Sequence, residues 1–411
     1  MRVDAVIFGG GVAGLWLLDE LVRRGRSAVL LEAHELGRGQ TVASQGILHG
    51  GLKYTLQGLL TSSAAAIRDM PLVWRDCLAG RREPDLSATR VRSHHCYLWR
   101  TDSLSSRMGM LGAKLGLRVA PESLADHDRP AVLARCPGTV ARLEEQVIAP
   151  DSLIANLAQR HHTRILKIEP TCGLDFELDA PGSVRAIRLA MPVPGCGKQM
   201  LVLEPQNVIL TAGEGNAALR ARLSLGTAVM QKRPLHMVLV RGSLPVLNGH
   251  CVDGSTTRVT ITSDPGADGR TVWQVGGQIA EDGVGLEPQD LIARAQVELT
   301  AAIPGLNLDG TEWATYRVNR AEGAVPGGKR PDTLQIRRDG RTLTAWPTKL
   351  VLAPQLATEI ADRIESAHFV GGHLSLPDEW PRPAVAAPPW VSATIWPPSS
   401  SAGRVPCSRA A

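Results

Sequence analysis

The sequence predicts an α/β protein in which a parallel sheet flanked by helices is joined to a second domain of mixed, largely antiparallel sheet. Three observations support this prediction. The first 32 residues have the pattern strand, glycine-rich turn, helix and strand. The chain has 411 residues, which is long for one ordinary core. Short apolar segments separated by Gly, Pro and Asp turns then dominate residues 217–330.

The chain opens with an apolar, β-prone segment, Val3–Phe8, which runs directly into the motif Gly9-x-Gly11-x-x-Gly14. Gly9 permits a tight turn, Gly11 lets a pyrophosphate approach the backbone, and Gly14 lets the following helix pack on the strand. At the helix start, the backbone of Val12-Ala13 would present free N–H groups to the phosphates. In this context the glycine motif is a strong indication of dinucleotide binding.

A second apolar strand, Ser27–Glu32, ends in an acidic residue 18 positions after Gly14. A carboxylate in this place accepts hydrogen bonds from ribose hydroxyls and repels a 2′-phosphate. Glu32 is therefore expected to bind the ribose of a dinucleotide that carries no 2′-phosphate.

The next segment, Gly37–Tyr54, bears on which dinucleotide is bound. In a nicotinamide-binding domain a helix usually follows the acidic strand quickly, whereas here a long loop of small residues ends in His49-Gly50-Gly51. Such a loop can lie along a pyrophosphate and bring its backbone against a flat ring. The segment resembles the D-amino-acid oxidase-like family of FAD enzymes, which includes glycerol-3-phosphate dehydrogenase and 2-hydroxyglutarate dehydrogenase. The run His49–Tyr54 is most similar to the glycerol-3-phosphate dehydrogenase version.

The resemblance covers most of residues 1–365 in short specific islands. It implies a Rossmann-type FAD-binding domain with a second, mixed antiparallel-sheet substrate domain. It also implies FAD as cofactor, a small-molecule substrate oxidised at a C–H bond next to a hydroxyl or amine, and an electron acceptor that the sequence does not identify. The loop residues expected at the cofactor are Arg38, Thr41, Ser44, Gln45, Gly46, His49 and Gly50.

Two later islands are expected to return to the cofactor. The segment Asn207–Asn216 is an apolar strand that runs into Thr-Ala-Gly, and Arg341–Leu350 resembles the closing element that meets the flavin pyrimidine edge. Backbone N–H groups or a lysine there would stabilise negative charge on the flavin. The residues expected at the cofactor are Ala212, Gly213, Thr348, Lys349 and Leu350.

Two other classes of protein remain open from the sequence. One is an NAD-dependent dehydrogenase, which the small-residue loop and the Thr-Ala-Gly island disfavour. The other is a flavin-binding protein with no turnover of its own. A reductase with two dinucleotide sites is also disfavoured, because no second Gly-x-Gly-x-x-Gly follows a strand.

Three arginines are candidates for binding an anionic substrate. Members of the family often carry a Gly-x-Arg-Pro segment whose arginine holds a carboxylate or phosphate, a role that suits the planar guanidinium fork. Arg317 lies at a family-like distance from a tryptophan, whereas Arg330 precedes a proline. We rank them Arg317, Arg330 and Arg320. For each one, a structural salt bridge explains the residue equally well.

His49 has three candidate roles. It can act as a general base, because imidazole titrates near neutral pH. It can serve only as a hydrogen-bonding scaffold for the loop. It can also carry the flavin covalently, since some amine-oxidising relatives attach FAD through a histidine in a similar segment.

Bulk properties exclude several classes. The net charge of +5 is spread along the chain with no basic block, so no nucleic-acid partner is expected. No apolar run reaches the length of a membrane span, and no signal peptide is expected. The 7 cysteines form no Cys-x-x-Cys, and His94-His95 point to opposite faces of a predicted strand. We therefore expect no metal site and a reducing, cytoplasmic location.

Periodicity predicts the remaining elements and the domain limits. The predicted helices are 55–80, 103–116, Ser152–Arg160 with Asp151 as its cap, Pro288–Ala302 and Pro354–Ser366. The predicted strands are 89–100, Arg164–Glu169, Ser183–Met191, Gln199–Glu204, Leu235–Arg241, Arg258–Thr262, Thr271–Gly277 and a hairpin strand turned at Asp339-Gly340. The FAD-binding domain is expected to comprise 1–60, 145–215 and 335–366, and the substrate domain 61–144 and 216–334. A tail, 367–411, is expected to be flexible or draped, with tryptophans that pack on the body or mark a partner site.

Overall fold

A computed structural model describes residues 1–50, 69–101, 122–192, 200–253, 256–266, 268–364, 374–392 and 395–396. The helices are α1 (Val12–Arg23), α2 (Met70–Leu78), α3 (Pro150–Arg160), α4 (Asn216–Arg222), α5 (Gln278–Asp282), α6 (Pro288–Ala302) and α7 (Ala353–Arg363). The strands are β1 (Arg2–Phe8), β2 (Ala28–Glu32), β3 (Val91–Ser93), β4 (Cys96–Arg100), β5 (Glu122–Ser123), β6 (Val140–Leu143), β7 (Val147–Ile148), β8 (Ile165–Lys167), β9 (Leu174–Ala180), β10 (Ser183–Ala190), β11 (Met200–Leu210), β12 (Met230–Gly242), β13 (Gly249–Asp253), β14 (Thr256–Pro265), β15 (Thr271–Gly276), β16 (Glu312–Gly323), β17 (Gln335–Asp339) and β18 (Thr342–Trp346).

The first sheet has the order β17-β18-β11-β1-β2-β8, and its strands from β18 to β8 are parallel. Strand β1 lies in the middle and is buried along its whole length after Arg2, as expected for a strand covered on both faces. Helices α1, α3 and α7 pack on one face, where their leucines and isoleucines form one continuous core. This arrangement confirms the predicted α/β fold with its Rossmann-type sheet.

Helix α1 begins at Val12, directly after Gly11 of the glycine motif, and ends at Arg23, two residues before Gly25. Gly25 has φ +72°, and its N–H donates to Val22 O while that of Arg26 donates to Leu21 O. These two hydrogen bonds satisfy carbonyl groups in the last turn of the helix. The positive φ that this ending requires is one that glycine adopts readily. The chain can therefore turn directly back into β2, which pairs with β1.

The second sheet has the order β16-β12-β15-β14-β13-β4-β6-β5 and is largely antiparallel. Its longest pairing joins β12 and β16. Helix α6 covers its core, which contains Trp99 and Trp273. The mixed second domain is thus confirmed as part of the fold class, while the predicted domain boundaries stay predictions.

Several predicted elements need correction. Residues 89–100 are not one strand, because the chain leaves the β3 pairing before His94 and joins a different sheet at Cys96. Asp151 does not cap α3, since the helix starts at Pro150 and Asp151 lies in its first turn. The strand predicted at 199–204 and the apolar strand after Asn207 are one strand, β11. The predicted helix 103–116, and residues 55–68 of the helix predicted over 55–80, lie outside the described residues.

The described part of the tail packs on the body. Trp380 is buried and its indole N–H donates to Lys167 O at 2.8 Å. Trp390 and Trp396 pack against the outer strands of the second sheet, with the Arg241 guanidinium 4.2 Å from the centroid of the Trp396 ring. These tryptophans thus serve to attach the tail to the fold. In the part of the chain that the structure describes, none of the helices is both long and apolar enough for a bilayer crossing.

Candidate functional site

The glycine motif has the geometry that close backbone packing requires. Gly9 has φ +103°, and a Cβ there would lie 2.5 Å from Ala212 Cα. A Cβ on Gly14 would lie 2.0 Å from Gly9 O, so the strand and the helix can meet only through glycine. At Gly11, by contrast, a Cβ would meet only Thr41 Oγ1 at 3.1 Å within 4 Å, counting the described residues. Gly11 therefore faces space beside the start of α1, where a pyrophosphate would bind.

Glu32 ends β2 beside this turn. Its Oε2 accepts a hydrogen bond from Gly10 N at 2.6 Å, and its Oε1 accepts one from His34 N at 2.8 Å. These bonds hold the carboxylate at the carboxyl end of β2, next to the glycine turn. The position is the one predicted for a ribose ligand, and that role stays a prediction.

The small-residue loop, residues 37–50, lies across the second sheet. Its first part meets β16, where Ala321 N donates to Gln40 Oε1 at 3.1 Å. The carbonyl of Ala43 then accepts hydrogen bonds from Tyr316 Oη at 2.9 Å and Gln274 Nε2 at 2.8 Å. The loop is thus attached to strands β15 and β16 of the second sheet through hydrogen bonds.

The loop continues over the next strands to its end at His49. Gln45 Nε2 donates to the carbonyls of Gln274 and Thr260, each at 2.9 Å. Gly46 has φ +71°, and a Cβ there would lie 2.1 Å from Ile148 O. This close approach lets the loop pair with β7 through Ile47 and brings the following residues to β13.

His49 contacts two residues that the sequence analysis did not single out. Its Nδ1 lies 3.4 Å from Glu145 Oε2, and His250 Nε2 lies 3.6 Å from the same oxygen. The imidazole rings of His49 and His250 have centroids 5.4 Å apart. Glu145 is 4% exposed and His250 2%, whereas the His49 side chain is 20% exposed. The ligand atoms of all three lie within 4.8 Å of one another.

The electrostatics of this His–Glu–His group favour an ionised carboxylate. Burial alone raises the pKa of Glu145, but the adjacent imidazoles of His250 and His49 hold it well below its usual range. Gly50 N also donates to Glu145 Oε1 at 2.7 Å. The sequence offered one weak signal for Glu145, a charged residue two positions before the strand that pairs with the loop. It offered none for His250, because β13 was not predicted.

A second group of charged side chains lies near β16, where the first part of the loop meets the second sheet. We call its basic members, Arg233, Arg320, Arg330 and Lys349, the cationic cluster. Arg233 binds both oxygens of buried Glu322, at 2.7 and 3.0 Å, and Arg320 binds Glu281 at 3.0 Å. Burial, together with the charges of Arg233 and Arg330, lowers the pKa of Arg320. Lys349 is buried and the three arginines are half-buried, so an anion bound among them would reduce the repulsion between the cations.

Lys349 and Thr348 lie where the closing element was predicted. Thr348 has φ +62°, which is unusual for a residue with a side chain, and its hydroxyl donates to Thr333 O at 3.0 Å. Lys349 Nζ donates to Asp332 O at 3.1 Å. Burial, and then the charge of Arg330, lower the pKa of Lys349 to about 7. Leu350 starts a 3₁₀ turn that leads into α7, so backbone N–H groups are present there.

Arg317, the first-ranked arginine, lies apart from this cluster. It is exposed, and its guanidinium donates to the carbonyls of Val284 and Leu286. The strand period explains the separation, because Arg317 and Arg320 are three residues apart on β16 and point to opposite faces. Arg38 is also exposed, whereas Ser44, Gln45, Gly46 and Gly50 line the inner part of the loop.

These residues fit FAD on structural grounds. The Ser44 hydroxyl is buried and has no hydrogen-bond partner among the described residues, which marks a polar position for a ligand. Gly11 leaves room at the helix start, and Gly213, with φ +56° and open space around its Cα, follows β11 on the other side of the turn. When bound, FAD supplies a hydride acceptor.

Comparison with known proteins identifies the class. A family model for FAD dependent oxidoreductases matches residues 4–331. The chain is 39% identical over 399 residues to a probable FAD-dependent oxidoreductase of Pseudomonas aeruginosa, covering 95% of this chain and 98% of that protein. The solved structure of the Pseudomonas aeruginosa FAD dependent oxidoreductase aligns with a TM-score of 0.78 at 36% identity, over 95% of this chain and 98% of that one.

Two further similarities concern the glycerol phosphate enzymes. Glycerol-3-phosphate dehydrogenase 1 of Mycobacterium tuberculosis is 32% identical over 84 residues, which are 20% of this chain and 15% of that protein. The FAD-bound L-alpha-glycerophosphate oxidase of Mycoplasma pneumoniae aligns with a TM-score of 0.59 at 15% identity, over 89% of this chain and 94% of that one. The latter similarity concerns the fold alone.

The chain belongs to the D-amino-acid oxidase-like family of FAD-dependent oxidoreductases. It is an FAD-dependent enzyme, so the family predicted from the loop is confirmed. The alternatives of an NAD-dependent dehydrogenase and of a flavin-binding protein without turnover do not agree with this membership.

Proposed function

We propose that the enzyme oxidises a C–H bond next to a hydroxyl or amine of a small anionic substrate, with FAD accepting the hydride. The observation that carries the proposal is the placement of His49 at the end of the small-residue loop. Its side chain is 20% exposed, and its Nδ1 lies 3.4 Å from the buried carboxylate of Glu145. This arrangement suits a general base, because a carboxylate beside one ring nitrogen leaves the other nitrogen to accept a proton.

A base is needed because hydride loss from such a carbon leaves a protonated carbonyl or iminium group. Proton transfer from the hydroxyl or amine to His49 Nε2 removes that charge as the double bond forms. The imidazolium that results is stabilised by the ionised carboxylate of Glu145. The substrate therefore needs a hydroxyl or amine group on the reacting carbon, and the proton of that group is the one that His49 takes.

The cationic cluster supports an anionic substrate. Arg330 lies in the Gly-x-Arg-Pro setting, and its charge acts on both Arg320 and Lys349. We assign Arg330 and Arg320 to a carboxylate or phosphate of the substrate, and Lys349 to negative charge on the flavin. We assign Arg317 a structural role, since its guanidinium holds the turn Gly283–Gly285 and the residue after it.

The cysteines agree with the expected cytoplasmic location. Among the residues that the structure describes, Cys77, Cys96, Cys136, Cys172 and Cys251 are free thiols, as in a reducing compartment.

The test is anaerobic bleaching of the bound flavin by a panel of compounds. The panel contains glycerol 3-phosphate, 2-hydroxyglutarate, lactate, glycine, sarcosine and the D- and L-amino acids. We expect at least one anionic member to bleach the flavin absorbance within seconds to minutes. Dithionite provides the positive control, and an enzyme that dithionite bleaches but no member of the panel reduces would contradict the proposed substrate class.

A further inference from the structure

The carboxylate of Glu145 is shared between two imidazoles. Its Oε1 accepts the N–H of Gly50, while its Oε2 lies 3.4 Å from His49 Nδ1 and 3.6 Å from His250 Nε2. On its far side, His250 Nδ1 lies 2.9 Å from the Thr260 hydroxyl. This series of side-chain contacts therefore runs from the loop through Glu145 to the paired strands β13 and β14.

One buried carboxylate can neutralise one imidazolium but not two. A second proton on the pair would leave a net positive charge in a buried site, which is costly. Among the described residues, the titratable side chains that interact with Glu145 are those of His49 on the loop, His250 on β13 and Cys96 on β4. Burial, and then the charge of Glu145, raise the pKa of Cys96 well above its usual range, so this thiol stays protonated. The two imidazoles are therefore the neighbours of Glu145 whose ordinary chemistry includes exchanging a proton near neutral pH.

We propose that Glu145 and His250 are positioning residues for His49. This inference rests on the proposed function and adds the residues that set the protonation of its base. Glu145 accepts a hydrogen bond from His49 Nδ1–H, so that Nε2 is the basic nitrogen, and His250 holds the Glu145 carboxylate in place. During oxidation the substrate O–H or N–H proton goes to His49 Nε2. The electron pair of that bond forms the new C=O or C=N bond, and the hydrogen on carbon leaves as hydride, with FAD as the oxidant.

The first experiment reads the tautomer of His49 and needs no substrate. The holoenzyme is labelled with ¹⁵N-histidine, and the His49 signals are assigned by difference from His49→Asn. We expect the Nδ1–H tautomer of neutral His49 in the wild type, loss of that preference in Glu145→Ala, which has no acceptor, and a mixture of tautomers in His250→Asn. A wild-type His49 in the Nε2–H tautomer, or one that Glu145→Ala leaves unchanged, would overturn the inference.

The second experiment measures the pH dependence of flavin reduction, using the compound that bleaches the flavin fastest. The base works unprotonated, so the rate rises with pH. Because an adjacent negative charge favours imidazolium, Glu145→Gln should move the half-maximal pH lower by about 1 unit or more and slow the reaction about 10²-fold. An unchanged profile in a folded, flavin-loaded Glu145→Gln enzyme would show that Glu145 acts only in the packing.

The matched control is His161→Asn. His161 also contacts a buried carboxylate, with its Nε2 2.8 Å from Asp19 Oδ1, but it lies at the end of α3 away from the loop. This variant should be less stable than the wild type, because it breaks the contact between His161 and buried Asp19. The pH profile of flavin reduction and the His49 tautomer should stay as in the wild type. If the pH profile shifted equally in His161→Asn and in Glu145→Gln, the shift would not be specific to Glu145, and the inference would be overturned.

Elemental analysis of the purified holoenzyme separates the proton-holding role from metal binding. Two imidazoles and a carboxylate within 4.8 Å of one another could also bind a divalent cation. We expect less than about 0.1 equivalent of zinc, iron or manganese per chain. Stoichiometric metal that Glu145→Gln loses would overturn the inference. Failure of the whole compound panel, with the expected tautomer intact, would reject the proposed substrate class and leave the positioning of His49 standing.

Discussion

The carboxylate of Glu145 lies 3.4 Å from Nδ1 of His49, although 96 positions separate them in the chain. The contact forms because the strand after Glu145 pairs with the loop before His49, through the bridge between Ile47 and Val147. It places a buried carboxylate beside Nδ1 of a histidine whose side chain is 20% exposed. The predictions below test this site and the cofactor site beside it.

Replacing His49 by asparagine should leave the flavin bound but slow its reduction. Asparagine keeps similar size and some hydrogen bonding while it removes the base, so reduction by substrate should fall about 10²–10⁴-fold. Stopped-flow absorbance at saturating substrate measures the effect. Near-normal reduction would leave His49 a scaffold for the loop. Denaturation of the wild type provides a separate check, since colour that stays with the polypeptide would indicate a covalent flavin.

The Gly11→Val variant should fold but lose FAD. A Cβ at Gly11 meets only the Thr41 hydroxyl at 3.1 Å among the described residues, so the main obstacle is to the pyrophosphate. The ratio of flavin to protein absorbance after purification measures binding, and circular dichroism reports folding. Gly226→Val is the matched control, because a Cβ there meets nothing within 4 Å of the described structure. Stoichiometric flavin in folded Gly11→Val would refute the assignment of the phosphate site.

The Glu32→Ala variant should weaken FAD binding by about 1–3 kcal/mol, the range for losing charge-assisted hydrogen bonds. Titration of the apoprotein with FAD in a calorimeter gives the affinity. Part of the effect will come from the turn, because Glu32 also accepts the N–H of Gly10 at 2.6 Å. Glu32→Gln separates the two contributions, since its amide oxygen can still accept that bond. Equal affinities for wild type and Glu32→Ala would mean that Glu32 does not contact the ribose.

Lys349 should give the stability of the protein a defined pH dependence. Its pKa is about 7 in the folded chain, against an ordinary 10.5 when unfolded. Between these values the unfolded state binds more protons, so the contribution of Lys349 to the free energy of unfolding rises with pH from 7 to 10.5. The difference in unfolding free energy between wild type and Lys349→Met, from urea titrations, should therefore increase between pH 7 and 9. Lys232→Met, at a half-exposed lysine, should show no such trend. A flat difference for Lys349→Met would contradict the lowered pKa.

Patterns of nearby residues were sufficient to predict the main elements of the first, parallel sheet. The glycine motif, Glu32 and the hairpin at Asp339-Gly340 are encoded by residues close together in the chain, and the parallel sheet follows from them. Helix α6 begins and ends where its proline and apolar pattern predict, at Pro288 and Ala302.

The chemistry of the site depends on contacts that no local pattern encodes. Glu145 and His250 reach His49 only because β7 and β13 pair with distant segments. The ranking of the candidate arginines could not be predicted for another reason. Motif spacing does not show on which face of β16 a side chain lies. The register with β12, which places Arg320 opposite Arg233, decides that question.

The most direct test of the central claim compares an anionic substrate with its neutral analogue in wild type, Arg330→Met and Arg317→Met. If the panel identifies glycerol 3-phosphate, for example, the comparison is with glycerol, and the measured quantity is the rate of anaerobic flavin reduction divided by the apparent dissociation constant. We expect a strong preference for the anion that falls about 10–100-fold in Arg330→Met, through the loss of charge-assisted hydrogen bonds, and is unchanged in Arg317→Met. Equal reduction by the anion and its neutral analogue in the wild type, or a loss of preference in Arg317→Met alone, would contradict the account.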